Sequence, residues 1–458
     1  MAKINAPVYK NQEIEGEVVD ITYQGMGVVK VDEYPIFVVD AIPGEEVLVG
    51  VTKVQKNYAF GRVIKRLKES DLRNHEVNQA ALTTGIAPLA NLVYPAQLEF
   101  KQKQVQELFK KMHLDAEILP TIGMEQHTGY RNKAQVPVRE IHGEINTGFY
   151  RRNSHNLVPI EDYYIQDPAI DHAIVVVRDL LRKYQLDAYD EQTHRGDIKT
   201  IMVRRGYYSH EMMIVIVTRR KKLPVAEALV AGIRAVLPEV TSIIQNVNSE
   251  ATNVMMGDTN KTLWGADYIT DTLLGKTFEI GPLSFYQVNP QSTELLYQLA
   301  IDKADLRGDE TVIDAYSGIG TISLTVANQV KQVMGVEIVP GAVADAKRNA
   351  KINGVENVTF ELGKAEEKMQ EWQMAELQPD VIFVDPPRKG LAPELIDAAV
   401  AMKPDKIVYI SCNPATLARD AELLATQGYA IKGPVQPIDQ FPQTTHVECV
   451  VVFEPKEA

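Results

Sequence analysis

Two residues in this chain have the types and surroundings to do covalent chemistry. The first is Cys412, in the stretch Tyr409 to Asp420, YISCNPATLARD. The apolar residues before it read as a strand, and the Asn-Pro pair after it opens a helix, which puts the thiol at a strand end. A free cysteine is usually a small buried hydrophobe. At a helix N-terminus, however, the dipole favours the thiolate, which is the nucleophilic form. The second is Glu448, in THVECVVVF. A charge inside a buried strand rarely serves stability, so Glu448 reads as a functional carboxylate, with half of a structural ion pair as the alternative. Period-two alternation sets His446, Glu448 and Val450 on one face and Cys449 on the other. Cys449 is therefore expected to pack, and His446 either to orient the carboxylate or to end the strand with an ordinary hydrogen bond.

Three further motifs read as a small-molecule site. DAYSGIGT, Asp314 to Thr321, follows one strand and opens a helix, with Gly318 and Gly320 allowing a tight turn and close backbone approach. Glu337 ends the next strand, where a carboxylate can accept from both hydroxyls of a ribose. VIFVDPPRKG puts Asp385 at another strand end, held by two prolines that cannot continue a sheet. A dinucleotide would prefer a third glycine where Ser323 stands. S-adenosylmethionine has no phosphate and carries a sulfonium cation, so it suits Asp314, Glu337 and Asp385 better. Ahead of these, GPLSFYQVNPQ offers Gln287 for a polar ligand and Phe285 or Tyr286 for stacking on a base; a plain helix-entry turn is the other reading. A methyl donor explains the thiolate. Pyrimidine C5 is a poor nucleophile until a thiolate adds at C6. The resulting enolate can take the methyl group, and a base must then remove the C5 proton so that sulfur is expelled.

The elements that must position these residues are legible in outline. From 290 onward strands alternate with helices, the pattern of a parallel, doubly wound sheet whose ligands lie beyond the strand C-termini. Residues 12–66 read as about five short strands without a helix, which suggests a small closed barrel of the oligonucleotide-binding kind. Residues 121–282 mix strands and helices, and a polar helix is expected over 97–113. The chain has 458 residues, enough for two to four cores. The net charge of −13 is awkward for a nucleic-acid binder, but basic islands stand at 53–68, at 131–152 and at 204–222, and local patches decide contact. With two cysteines, no apolar signal core and no run long enough to span a bilayer, a cytoplasmic protein is expected.

Taken together, FYQVN, DAYSGIGT, GVE, DPPRKG, SCNP and THVE resemble the bacterial RNA uridine-5-methyltransferases, and most of all those acting on 23S ribosomal RNA. The resemblance covers nearly the whole chain. It implies an α/β architecture: a Rossmann-like class I methyltransferase domain at 283–458, a TRAM RNA-binding barrel at 1–67 and a central α+β RNA-recognition domain at 68–282. The family's catalytic domain is discontinuous, so the 97–113 helix is expected to pack with the C-terminal half. Cys412 is implied as nucleophile and Glu448 as proton acceptor, with Gln287, Tyr316, Glu337 and Asp385 binding S-adenosylmethionine and no metal. Many relatives hold an iron–sulfur cluster on four cysteines. Here Thr84 and Ala87 stand near the expected ligand positions, so no cluster is expected. This form resembles enzymes of low-GC Gram-positive bacteria, some of which modify two ribosomal uridines. The implied partner is 23S rRNA, met by a monomer, at one site or two. Three alternatives stay open: a tRNA uridine-5-methyltransferase, a non-catalytic RNA-binding assembly factor, and a cytosine-5 enzyme. The last is disfavoured because Arg388 stands where those enzymes carry a cysteine.

Overall fold

The computed structural model describes residues 6–252 and 254–456. At the N-terminus, β1 (Glu13–Ile21), β2 (Gly27–Val31), β3 (Tyr34–Val39), β4 (Glu46–Val54) and β5 (Ala59–Lys68) close into a barrel in the order β1-β2-β3-β5-β4. Alternation along each strand sends Val18, Val29, Ile36, Val38, Val47 and Val49 inward. Closure leaves no long edge to pair with another chain. The barrel is clasped to the central part of the chain by Arg73, whose guanidinium bonds Asp40 and the fully buried Glu45, and by Ile42 packing on Leu92 and Ala96.

Next come α1 (Gln79–Thr84), α2 (Tyr94–Lys111), β6 (Lys133–Ile141), β7 (Glu144–Tyr150), β8 (Leu157–Pro159), α3 (Pro168–Lys183), β9 (Ile198–Arg205), β10 (Met212–Thr218), α4 (Ala226–Val236), β11 (Val240–Val247) and β12 (Thr259–Gly265). The strands form one sheet in the order β12-β11-β10-β9-β6-β7-β8. One face, with Val136, Val203, Ile214 and Ile216, packs on α3 and α4. The other face, with Met202, Met213, Val215 and Val217, joins the core of the C-terminal unit. Burial on both faces explains why MMIVIVT reads as a continuous apolar run rather than an alternating one.

After the hairpin β13 (Ile269–Leu273) and β14 (Lys276–Ile280), the chain alternates through α5 (Pro290–Ala304), β15 (Thr311–Asp314), α6 (Thr321–Val326), β16 (Gln332–Glu337), α7 (Pro340–Ile352), β17 (Val358–Leu362), α8 (Ala365–Met374), β18 (Val381–Val384), α9 (Pro393–Ala401), β19 (Lys406–Ser411) and α10 (Pro414–Thr426), then β20 (Tyr429–Ile438) and β21 (Glu448–Pro455). The sheet order is β17-β16-β15-β18-β19-β21-β20. The pairs among β15 to β19 are parallel, and β21 runs antiparallel between β19 and β20. The strand order therefore reverses at β15, which opens a crevice beyond the ends of β15, β16 and β18.

The polar helix expected at 97–113 starts earlier, at Tyr94, because Pro95 presets the first turn. Its Val105 and Phe109 share a core with Leu417, Leu424 and Val435, and the segment behind it bridges to β20 at Ile118–Val435 and Ile122–Ile438. Of the basic islands, the one at 204–222 is largely neutralised within the protein. Arg204 is buried on the carbonyls of Gly281 and Ser284, Arg205 pairs with Asp167, and Arg219 and Arg220 face Asp197. Among the described residues no helix is long and apolar enough to cross a membrane.

Candidate active site

A cavity of about 770 Å³ opens at the crevice, and Gln287, Tyr316, Glu337, Asp385, Cys412 and Glu448 all line it. Its floor is set by backbone geometry. Gly318 and Gly320 both take left-handed conformations, and a Cβ on Gly320 would lie 2.9 Å from the ring of Phe360. The turn they make brings the Gly318 N–H to Glu337 Oε2 at 3.1 Å, while Oε1 accepts from the Val339 N–H. Glu337 is thereby fixed at the end of β16.

Two carboxyl groups lie deeper. Asp314 Oδ2 accepts from the backbone and hydroxyl of Ser323, and Oδ1 is buried without a partner. Desolvation pushes Asp314 up to about 6. Asp385, at the end of β18, is pushed up to about 7 by desolvation and then by the neighbouring Asp314. Asp385 and Glu337 line the cavity with Asp314 buried behind them, an arrangement poorly matched to an anion and well matched to a cation. The lining fits S-adenosylmethionine: carboxylates at Glu337 and Asp385 for hydroxyls and a sulfonium, and a largely apolar wall. Gln287 is buried on a loop held by Asn132, which donates to the Gln287 carbonyl, and by Gln440, whose Nε2 is 3.4 Å from Gln287 Oε1. Of the two candidate stacking rings, Phe285 stands exposed in the cavity wall and Tyr286 is buried.

Cys412 follows β19 directly, as its position in the sequence implies. The β19–β21 ladder pairs Ile407 with Phe453 and ends at Ser411 with Cys449. One more step in that register sets Cys412 opposite Glu448, on the face shared with Ile410 and Val450. Cys449 lies on the opposite face, in the core with Tyr409 and Val451. Asn413 caps α10 through the Ala415 N–H and donates to the Arg388 carbonyl at 2.9 Å, tying the cysteine turn to the Asp-Pro-Pro-Arg turn.

The electrostatics differ from the expectation that a helix N-terminus would hold a thiolate. Burial, then Glu448 and Asp385, push the Cys412 thiol up to about 12, against a lowering by Arg388. Glu448 itself is raised well above the usual carboxylate range, by burial and then by Asp385. Asn413 already uses the helix terminus, and two acidic neighbours outweigh its dipole. Burial and mutual acidity thus favour the protonated form of each group.

The geometry also brings in residues for which the sequence offered little or no role. Phe441 and His446 line the cavity on the 439–447 loop. His446 is exposed at the rim with its Nε2 3.2 Å from Arg388, and desolvation, Arg388 and then more distant cations push it down to about 4. Beneath this loop, the fully buried Lys101 of α2 pairs with Asp439, which also accepts from the Tyr94 hydroxyl. One sequence signal pointed here, a lysine on the apolar side of a helix. Asn132 carried none, because its contact spans 155 residues.

The reversed strand order, the glycine turn and the acidic rim of the cavity define an S-adenosylmethionine-dependent methyltransferase. The family model described as tRNA (Uracil-5-)-methyltransferase matches residues 93–456, and the TRAM domain matches 7–64. The chain belongs to this RNA uracil-5-methyltransferase family. It is 60% identical to an uncharacterized RNA methyltransferase of Lactiplantibacillus plantarum, with 99% of each chain covered, and 49% identical to one of Enterococcus faecalis, with 98% of each covered. Its structure is similar to that of Pyrococcus abyssi tRNA (uracil-54, C5)-methyltransferase in complex with S-adenosyl-L-homocysteine, at 26% identity and a TM-score of 0.77, covering 96% of this chain and 99% of that one.

Proposed function

We propose that this protein methylates C5 of uridine in 23S rRNA, at one or two positions, through a covalent bond between Cys412 and C6. The observation that carries the reading is that a thiol and a carboxyl stand opposite each other one step past the last β19–β21 rung and both line a cavity with acidic strand ends. Gln287, Tyr316, Glu337 and Asp385 hold S-adenosylmethionine, which supplies an electrophilic methyl group when bound. Cys412 gives its proton to solvent and its sulfur adds to C6; the C5–C6 π electrons move toward the C4 carbonyl as an enolate. With C5 methylated, Glu448 as carboxylate takes the C5 proton, the C5–C6 double bond re-forms and the thiolate leaves. A cation beside Asp385 and Glu448 favours ionised carboxyls and offsets the acidic opposition to the thiolate. The site is therefore armed by the ligands it binds. The protein acts as a cytoplasmic monomer without an iron–sulfur cluster: around Thr84 and Ala87 the fold is held by Ala81, Leu82, Ala87, Ala90 and Tyr130 packed together.

A tRNA uridine is the second reading, favoured by the likeness to the archaeal tRNA enzyme. Mapping 5-methyluridine in ribosomal and transfer RNA from a strain lacking this protein decides between them. Loss from 23S rRNA alone is expected, and the number of lost sites gives one or two. Loss from tRNA alone would sink the ribosomal assignment, and no loss anywhere would favour a non-catalytic RNA-binding factor.

A further inference from the structure

Beside the cavity, Lys133 and Arg131 carry charge that no carboxylate among the described residues absorbs. Lys133 opens β6 directly opposite Arg204 of β9, and Arg204 reaches across to the carbonyls of Gly281 and Ser284. Their shared face therefore looks toward the C-terminal sheet. Arg131 lies two residues earlier, across a bend at Asn132, and its chain neighbours Tyr130 and Asn132 are both buried. Those buried neighbours fix its place. The Tyr130 hydroxyl donates to the Pro442 carbonyl at 3.0 Å, and Asn132 donates to the carbonyls of Val288 and Gln287 at 2.9 and 3.2 Å. Arg131 is thus pinned between the loop that carries Phe441 and His446 and the loop that carries Phe285 and Gln287. Both loops wall the cavity that holds Cys412.

Among the described residues neither Arg131 nor Lys133 forms an ion pair. Burial, and then the charges of Arg204 and Arg131, push Lys133 down to about 7. A group of like charges held out of water without a counter-charge is costly, and an anion from outside removes that cost. Arg388, exposed beside His446, adds a third cation at the cavity. An RNA base drawn out of its stack brings its flanking phosphates to the mouth of the pocket that receives it.

We propose that Arg131 and Lys133, with Arg388 across the mouth, clamp backbone phosphates of the RNA strand beside the target nucleotide. The clamp rests on the RNA uridine reading for its occupant. The test uses the full chain and its R131Q and K133M variants, with unmodified 23S rRNA transcript as the probe. RNA affinity is measured without cofactor over a range of salt, S-adenosylmethionine affinity by calorimetry, and folding by thermal melting. Each substitution should weaken RNA binding about five- to tenfold near physiological salt and lower the slope of log affinity against log salt by about one. Cofactor affinity should not change, and K133M should melt no lower than the parent protein, since it removes an uncompensated charge. Unchanged RNA affinity and slope would overturn the clamp. So would a loss confined to S-adenosylmethionine, since the pair would then hold the cofactor's carboxylate. Labelled methyl transfer by the parent protein separates the two proposals. Transfer to uridine alongside variants that bind RNA normally sinks the clamp alone. RNA binding that depends on the pair, with no transfer to uridine, sinks the catalytic reading and supports the clamp.

Discussion

Cys412 and Glu448 face each other as successors to the last rung of a β-ladder, so their roles separate cleanly under substitution. Cys412→Ala should lower turnover roughly ten-thousandfold or more, the scale on which a covalent nucleophile matters, with S-adenosylmethionine binding retained in calorimetry. Glu448→Gln should still transfer methyl but stall at release, so a protein–RNA band should persist on denaturing gels; its absence would move the base role elsewhere. Asp385 gives a pH signature. With its carboxyl pushed up to about 7 by burial and Asp314, it is neutral below that value and ionised above. Affinity for the cationic donor should rise as pH climbs through about 7, while affinity for uncharged-sulfur S-adenosylhomocysteine rises less. Parallel profiles for the two ligands would refute electrostatic recognition by Asp385. The identities of these residues were legible because each interrupts a local pattern: a carboxylate in an apolar strand, a thiol before Asn-Pro, an aspartate before two prolines. Their protonation was not legible. It depends on Glu448 and Asp385 standing beside Cys412, which adjacency in sequence does not reveal.

At the scale of elements, the 439–447 loop is held from below by a helix some 340 residues earlier in the chain. Lys101 and Asp439 are both fully buried, and Ile438, next to Asp439, pairs with Glu448 across β20 and β21. Lys101→Met leaves a lone buried carboxylate and should destabilise by about 3–5 kcal/mol. Adding Asp439→Asn should restore much of that loss, and chemical denaturation of the two single variants and the double variant measures the coupling. Additive single effects would mean that the two side chains act independently. The alternation of strand and helix after 290 made the sheet readable from sequence, as did the valine-rich barrel. The antiparallel insertion of β21 between β19 and β20 was not readable, since periodicity gives an element's type and not its neighbour. The same holds for α2: its apolar positions were visible, and the surface they cover belongs to a sheet made much later in the chain.

For the molecule as a whole, acidic composition and RNA recognition are reconciled by where the charge lies. Arg204, Arg205, Arg219 and Arg220 are consumed internally, so one apparent basic island in the sequence is scaffolding. In the barrel, Arg66 is similarly spent on Asp40, which leaves Lys53, Lys56, Arg62 and Lys65 as the cations with which the barrel can meet RNA. Reversing Arg62 and Lys65 to glutamate should weaken RNA binding at least tenfold and flatten its salt dependence, with S-adenosylmethionine affinity unchanged; filter binding across salt concentrations would show it. Sequence counts of lysine and arginine cannot separate free from committed charge, because the partners Asp167, Asp197 and Asp40 are distant in the chain.

The ladder that sets Cys412 opposite Glu448 also turns Cys449 to the other side of the sheet. Sulfurs that leave a strand pair from opposite faces cannot adopt disulfide geometry. Oxidative stress therefore has no internal cross-link to make here. Peroxide can only oxidise Cys412 step by step or cap it with a small thiol, and a thiol kept protonated until its ligands arrive reacts slowly on that path. Resting protein is thereby spared, and damage should concentrate in molecules whose ligands have arrived before the sulfur has bonded to C6.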